Sequence, residues 1–169
     1  MTDLNTAVID SPVGPLALAW DGAGAVRGAS FDGAGRGLAR TMRREYPDAR
    51  LTPGEIPAAM AAALNAYFAG AAGALADLPW AVQGDGFQPR VWRALADVPA
   101  GTTISYGEMA KRAGEPGAAQ AAGVALNRNP IPLILPCHRV IGADGAMVGF
   151  GGGLDRKTWL LRHEGALLI

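Results

Sequence analysis

The chain has very few residues that could crosslink it or bind a metal. Its 169 residues include one cysteine, Cys137, and two histidines, and neither residue type occurs before position 137. A single cysteine excludes an internal disulfide, and so few soft ligands cannot form an ordinary structural zinc site. We therefore expect no structural metal.

The chain also lacks net charge and long apolar runs. Lysine and arginine total 15, as do aspartate and glutamate, but residues 1–85 hold six basic and nine acidic residues, whereas residues 86–169 hold nine basic and six acidic. This small positive excess in the second half is compatible with moderate, salt-sensitive phosphate binding and equally with a solvated surface. No segment could span a bilayer, and the N-terminus lacks the basic and apolar regions of a signal peptide, so we expect a cytoplasmic protein.

The single cysteine follows a stretch with a restricted backbone. The apolar run Ile131 to Leu135 has a proline on each side. This pattern predicts a short buried strand or extended segment that carries Cys137 to the floor of a cleft. Pro136 fixes its own φ and favours an extended Leu135, so the backbone sets the direction of the sulfur.

Cys137 is a candidate nucleophile, because a thiol reacts well when a nearby base or cation lowers its pKa. His138 and Arg139 follow it directly, and His163 precedes Glu164, which could orient an imidazole. The competing interpretation is that Cys137 is a small buried hydrophobic residue. Residue types alone leave both interpretations open.

The first half has the pattern of an antiparallel meander followed by helices. Turn residues at 11–15 and 21–24 separate three apolar runs, which indicates strands joined by tight connections. Arg40 and Arg44 share one face of the first predicted helix, which we interpret as solvated. The predicted strands are 6–9, 16–20, 26–31 and a last short one at 78–82, and the predicted helices are 38–46 and 57–68.

The second half has the pattern of a helix-turn-helix. Ser105 is a suitable N-cap, with Glu108 as its capping-box partner, for a helix that ends near Ala113. A glycine-containing turn at 114–117 then leads to a helix rich in small residues. For Gly123 in that helix, tight packing in the core and close approach to another surface are equally compatible. The remaining predictions are helices at 87–98, 118–126 and 154–164, a hairpin turn at 142–145 and its return strand at 147–150.

The segment Pro136-Cys137-His138-Arg139-Val140, with Ile141-Gly142, resembles the acceptor-site signature of the O6-alkylguanine-DNA alkyltransferases. The resemblance is close from about Phe87 to the C-terminus and covers the N-terminal half in outline. Further matches fall in the family's order and spacing: Ser105-Tyr106-Gly107, Asn129-Pro130, Gly152-Gly153-Leu154, Lys157, Trp159-Leu160-Leu161 and His163-Glu164-Gly165.

The resemblance implies an α+β protein with two domains. Residues 1–85 would form an N-terminal structural domain with a small antiparallel sheet and helices, ribonuclease H-like in the family. Residues 86–169 would form a helical DNA-binding and alkyl-acceptor domain with a winged-helix-like helix-turn-helix. The zinc site that some members carry in the N-terminal half would be absent.

The resemblance also implies repair of O6-alkylguanine, with O4-alkylthymine as a further expected substrate. The base would be flipped out of double-stranded DNA, and its alkyl group would pass irreversibly to Cys137, once per molecule and without a cofactor. His138 would take the thiol proton through a water, Glu164 would hold the imidazole tautomer, and Asn129 would hydrogen-bond this constellation. The implied base-pocket residues are Tyr106, Val140, Phe150, Gly151 and Pro132.

In the family, the second helix of the helix-turn-helix enters the minor groove without reading sequence, and we expect a monomer to bind in this way. Gln120 stands where the family usually has an arginine that fills the gap left by the flipped base, so weaker extrusion or lesion retention is expected. Phe150 replaces a frequent tyrosine, with little expected effect. The implied DNA-binding residues are Gln120, Ala118, Ala119, Gly123 and Arg128.

Two other functions compete with repair. A lesion-recognition module would flip the alkylated base without repairing it, but relatives of that kind lack the acceptor cysteine that is present here. A cysteine hydrolase would turn over an ester or amide, but no protease or esterase signature accompanies Cys137.

Overall fold

The computed structural model describes residues 3–33, 35–142 and 153–167. The chain forms two compact units, one of Met1–Ala81 with Pro130–Pro132 and the other of Val82–Asn129 with Leu133–Ile169. The mixed α and β content agrees with the predicted α+β class. The assignment of separate structural and acceptor roles to residues 1–85 and 86–169 stays a prediction. Within the described ranges, no helix has the length and apolar character needed to cross a membrane.

The first unit contains a four-stranded sheet. Strands β1 (Asp3–Ile9), β2 (Leu16–Trp20) and β3 (Val26–Ser30) form the predicted antiparallel meander. The chain then adds β4 (Arg50–Pro53) in parallel beside β1, giving the order β3-β2-β1-β4. The expectation of a wholly antiparallel sheet is therefore wrong, because the helix between β3 and β4 brings the chain back in the direction of β1.

Two helices complete the first unit, α1 (Arg36–Glu45) and α2 (Ala58–Phe68). Leu38 and Met42 of α1 pack into a buried cluster with side chains of β1 and β2. Gly28 of β3 permits this approach, since an added Cβ would lie 2.5 Å from Cε of Met42. The strand predicted at 78–82 is reduced to one parallel bridge between Val26 and Trp80.

The second unit is mainly helical. Helices α3 (Phe87–Leu95), α4 (Tyr106–Arg112) and α5 (Ala119–Asn127) pack against one another. Helix α6 (Leu154–His163) contacts a short 3-10 helix, Cys137–Arg139, which we call the acceptor turn. Ser105 caps α4 as predicted, accepting a hydrogen bond of 3.1 Å from the Glu108 N–H, whereas the Glu108 carboxylate accepts from Arg112. The unit also contains the short strands β5 (Ile104–Ser105) and β6 (Val140–Ile141).

The segment before the acceptor turn is buried as predicted, but it is not a strand. Leu133 has φ of 75°, in the left-handed region, so the chain turns instead of running extended. Pro130, Pro132 and Pro136 lack the N–H groups that a strand would donate to a ladder, which favours an irregular path. The predicted hairpin turn and return strand between 142 and 150 lie almost entirely outside the described residues.

Candidate active site

The acceptor turn holds Cys137 in a fixed, buried position. The Cys137 N–H donates to the Leu135 carbonyl at 2.8 Å, and the Arg139 N–H donates to the Pro136 carbonyl at 3.0 Å. Cys137 is only 7% exposed. The sulfur therefore lies in the interior of the second unit, as expected, although a turn and not a strand delivers it.

A pair of short parallel strands brings the start of α4 to the acceptor turn. Ile104 pairs with Val140, and Ser105 pairs with Ile141. Tyr106, the first residue of α4, thus follows directly on a strand that is in register with the end of the acceptor turn. Tyr106 is close enough to the sulfur that a negative charge on Cys137 contributes, after burial, to the raised pKa of the phenol.

Burial is the largest influence on the pKa of the Cys137 thiol. Removal from water raises the pKa of Cys137 to about 11, although a hydrogen bond from the Asn129 side chain and the positive charge of Lys157 act in the opposite direction. The thiol is therefore neutral at physiological pH in the resting protein. The sequence pointed to His138 and Arg139 as groups that could lower this pKa, but the side chains that lower it are those of Asn129 and Lys157, and burial outweighs both.

His138 is a buried neutral base held by a carboxylate. Its Nε2 lies 2.8 Å from Oε2 of Glu164, and the side chain is fully buried. Burial lowers the pKa of His138, while the hydrogen bond to Glu164 raises it. Because the carboxylate can only accept, we assign the proton to Nε2, which leaves Nδ1 as the basic nitrogen.

Glu164 is ionised and fixed by a guanidinium. Burial alone would raise its pKa, but hydrogen bonds from His138 and Arg139 outweigh burial and lower the pKa to about 2. Arg139 donates through Nε to Oε1 at 2.8 Å and through Nη2 to Oε2 at 2.9 Å. Its Nη1 donates to the Val98 carbonyl at 2.7 Å, so the fork itself is anchored to backbone.

Lys157 is a second buried cation near the sulfur, and the sequence had suggested no role for it. Its Nζ donates to the Val140 carbonyl at 2.7 Å. Burial lowers the pKa of Lys157, while the charge of a Cys137 thiolate raises it. Lys157 precedes Glu164, the C-cap of α6, by seven residues, which is about two helical turns. Residues at that spacing share a helix face, and this is the sequence signal that places Lys157 on the same side as Glu164.

Asn129 links the end of α5 to the acceptor turn. Its Nδ2 donates to the Leu135 carbonyl at 2.8 Å, and its side chain also hydrogen-bonds to Cys137. These contacts fit the expectation that Asn129 bonds the constellation around the cysteine. Its catalytic role stays a prediction.

The predicted pocket residues differ in how the structure presents them. Tyr106 is half-buried, and burial together with the Cys137 charge raises its pKa. Val140 is fully buried. Pro132 is half-buried and belongs to the first unit, where the adjoining Pro130 carbonyl accepts from the Ala29 N–H at 2.9 Å. Phe150 and Gly151 lie outside the described residues.

The predicted DNA-binding residues divide between two sides of α5. Gln120 and Arg128 are exposed, while Ala118, Ala119 and Gly123 are half-buried. Gly123 faces the ring of Tyr106, since a Cβ added there would lie 3.7 Å from Cε1. The side chains of α5 and its C-cap that are exposed form a stripe that is small and nearly uncharged, and it consists of Gln120, Ala121, Val124, Asn127 and Arg128.

Known proteins resemble this chain over most of its length. A family model described as 6-O-methylguanine DNA methyltransferase, DNA binding domain, matches residues 86–166. A methylated-DNA–protein-cysteine methyltransferase of Methanosarcina acetivorans is 42% identical over 160 residues, which cover 95% of this chain and 97% of the relative. A protein of the same name from Mycobacterium tuberculosis is 44% identical over 159 residues, which cover 92% and 89%.

A solved structure extends the likeness to the fold. The crystal structure of Mycobacterium tuberculosis OGT in complex with DNA matches with a TM-score of 0.74 and 40% identity, covering 97% of this chain and 93% of that one. The buried cysteine beside a histidine–carboxylate pair, the matching family model and the near full-length relatives lead to one conclusion. The chain is a member of the methylated-DNA–protein-cysteine methyltransferase family.

Proposed function

We propose that this protein repairs O6-alkylguanine in DNA by transferring the alkyl group to Cys137. The observation that carries the proposal is the buried row of groups anchored in the same turn as Cys137, in which His138 contacts Glu164 and Glu164 is held by the Arg139 fork. A neutral thiol beside a neutral imidazole and a permanent carboxylate is an arrangement that can generate a thiolate when needed.

The reaction begins with proton transfer. The thiol proton passes through a water to Nδ1 of His138, and the resulting imidazolium is stabilised by the Glu164 carboxylate. Fixed charges in a water-poor site stabilise the charged pair more strongly than bulk water would, without reorganisation. Lys157 and the Asn129 side chain stabilise the thiolate. Their effect on the pKa of Cys137 supports this role, because both lower it while burial raises it.

Displacement at carbon follows. Sγ of Cys137 attacks the alkyl carbon opposite O6, and the S–C bond forms as the C–O6 bond breaks. The electron pair of that bond moves into the purine, whose ring nitrogen takes a proton from the Tyr106 phenol. The phenolate regains a proton through solvent from the His138 imidazolium, so that the net transfer is one proton from sulfur to the purine. Burial and the Cys137 charge raise the pKa of Tyr106, so the phenol is protonated at neutral pH and can hydrogen-bond to the purine nitrogen as negative charge develops there.

The product sets the stoichiometry. Cys137 ends as a thioether, which is not a leaving group under these conditions, so each molecule reacts once. No cofactor enters the sequence of steps, and O4-alkylthymine presents an equivalent alkyl carbon.

DNA delivers the substrate through α5. A minor groove about 6 Å wide favours a helix with small side chains, and the exposed stripe of α5 has that character. The lesion base is extruded into the pocket at a cost of a few kcal/mol. We propose binding as a monomer, and a cytoplasmic location stays the prediction from the sequence.

The test uses a duplex with one O6-methylguanine. Protein in excess should convert the lesion to guanine, measured by chromatography of the digested DNA. A Cys137→Ser variant should bind the same duplex with similar affinity and leave the lesion in place. Conversion by the serine variant would contradict the proposal, and so would persistence of the lesion with both proteins, which is the behaviour of a lesion-binding module.

A further inference from the structure

A buried tryptophan connects α3 to the last turn of α5. Trp92 is 3% exposed, and its indole Nε1–H donates to the Ala125 carbonyl at 2.7 Å, across 33 residues of sequence. Ala125 is fully buried, so no solvent competes for its carbonyl. Indole nitrogens are usually hydrogen-bonded when buried, and here the partner is a helix backbone carbonyl.

The reason lies in how α5 ends. The Arg128 N–H donates to the Ala125 carbonyl at 3.1 Å, and the Asn129 N–H donates to the Leu126 carbonyl at 3.2 Å. Both hydrogen bonds join residues three apart, so the last turn is tighter than an α-helical turn. The Asn129 N–H bonds to Leu126 and not to the Ala125 carbonyl, which would be its partner in an α-helix. Helix ends need outside partners for their last carbonyls, and Trp92 supplies a rigid one.

The end of α5 determines where Asn129 stands. Asn129 follows the C-cap residue, Arg128, and its side chain bonds both the Leu135 carbonyl and Cys137. A rotation of the last turn would therefore move the amide that contacts the sulfur. The indole and the Arg128 N–H thus share the Ala125 carbonyl, and the peptide bond from Arg128 leads directly to the residue whose side chain bonds to Cys137.

We propose that Trp92 is a positioning residue for the acceptor thiol, acting through the C-terminal turn of α5 and the side chain of Asn129. The proposal rests on the proposed function of Cys137 as alkyl acceptor. It assigns the indole N–H a role beyond filling the space between α3 and α5.

The test separates the N–H from the ring. Replacing Trp92 with β-(3-benzothienyl)alanine retains the bicyclic shape and removes the donor, so the packing of α3 on α5 is preserved. We expect the single-turnover rate constant for methyl transfer at saturating duplex to fall about three- to tenfold, the equivalent of one hydrogen bond. The pH of half-maximal rate should rise, while affinity for the duplex stays the same.

A double substitution tests the route. In an Asn129→Ala background, changing Trp92 should cause no further loss, because the two residues act in series. Val91→Ala is the matched control: Val91 is also fully buried on α3, so its truncation lowers stability, but the pH profile of transfer should not shift.

A second assay needs no DNA. The rate at which iodoacetamide alkylates Cys137 is measured over the same pH range for the unsubstituted protein and the benzothienyl variant, which compares the two thiols independently of repair. An unchanged pH profile in the benzothienyl variant, or losses at Trp92 and Asn129 that multiply, would overturn the inference. If the unsubstituted protein left the lesion intact while the iodoacetamide profiles still differed as expected, the proposed function would fail and the positioning role would stand.

Discussion

At the scale of single residues, the site depends on how charge is divided before the reaction. The Cys137 thiol and the His138 imidazole are kept neutral by burial, whereas Glu164 is kept ionised by the two groups that bond it. Burial of an ion pair is favourable only when its hydrogen bonds are well made, and the Arg139 fork meets that requirement. Before the reaction, the protein thus contains a proton acceptor, the neutral imidazole of His138, but no reactive thiolate at Cys137.

Glu164→Gln tests this division of charge through stability. Removing the carboxylate leaves the buried Arg139 without its counter-ion, and we expect a loss of about 3 kcal/mol or more in the free energy of unfolding at pH 7. The lowered pKa of Glu164 means that its contribution is fully present above pH 4.5 and is lost as pH falls towards 2. The difference in free energy of unfolding between the wild type and Glu164→Gln should therefore shrink as pH falls from 4.5 towards 2. Urea unfolding at a series of pH values measures this difference.

The control for this comparison is Glu108→Gln. Glu108 forms an exposed pair with Arg112, with side chains 43% and 39% exposed, so its loss should cost about 0.5 kcal/mol or less. Glu164→Gln also removes the carboxylate that raises the pKa of His138, so the comparison is made within the window in which Glu164 itself titrates, from pH 4.5 towards pH 2. A gap between wild type and Glu164→Gln that stays constant over that window would show that the carboxylate charge does not stabilise the site.

At the scale of elements, α5 contains one of the two positions at which the resemblance indicates a departure from the family's pattern. Its exposed stripe carries Gln120 in place of the usual arginine and ends at Arg128. A glutamine side chain can occupy space and hydrogen-bond, but it has no charge and a shorter reach. Extrusion of the base should therefore be less well supported than with arginine.

Gln120→Arg should increase both the retention of lesion-bearing DNA and the single-turnover transfer rate. Asn127→Arg is the matched control, because Asn127 lies on the same exposed stripe and the substitution adds the same charge two turns away. Both variants should bind undamaged duplex more tightly at low salt, with a salt slope steeper by about one phosphate contact. The proposed gap-filling role is contradicted if the two variants raise the transfer rate equally or if neither raises it.

The elements also mark the limit of what sequence can predict. The meander and the Ser105 cap follow from local signals, namely apolar runs between turn residues and a hydroxyl three residues before Glu108. Strand β4 was missed because it contains one large apolar residue and a proline, and its pairing with β1 depends on distant sequence. The run before Cys137 was predicted as extended from its apolar character, but its prolines removed the donors a strand needs.

In the site, the sequence resemblance pointed to the pair His138 and Glu164, and the structure brings them into contact. The Arg139 fork was not anticipated, since its partner lies 25 residues further along the chain. The dominance of burial over neighbouring charges in setting the Cys137 pKa could not be predicted either, because the depth of burial is a property of the folded unit.

At the scale of the whole molecule, the formal charges balance while the second half carries the positive excess. That half contains the helix-turn-helix and every residue of the histidine–carboxylate–guanidinium row. The distribution favours binding of DNA by that part of the chain, with an affinity that falls as salt rises.

The most direct test of the account is the mass of the intact protein after incubation with an excess of O6-methylguanine duplex, followed by peptide mapping. The account predicts a gain of one methyl group per molecule, located on Cys137, with no further gain however long the incubation. An unchanged mass, a methyl group on another residue, or repair of more than one lesion per molecule would contradict it.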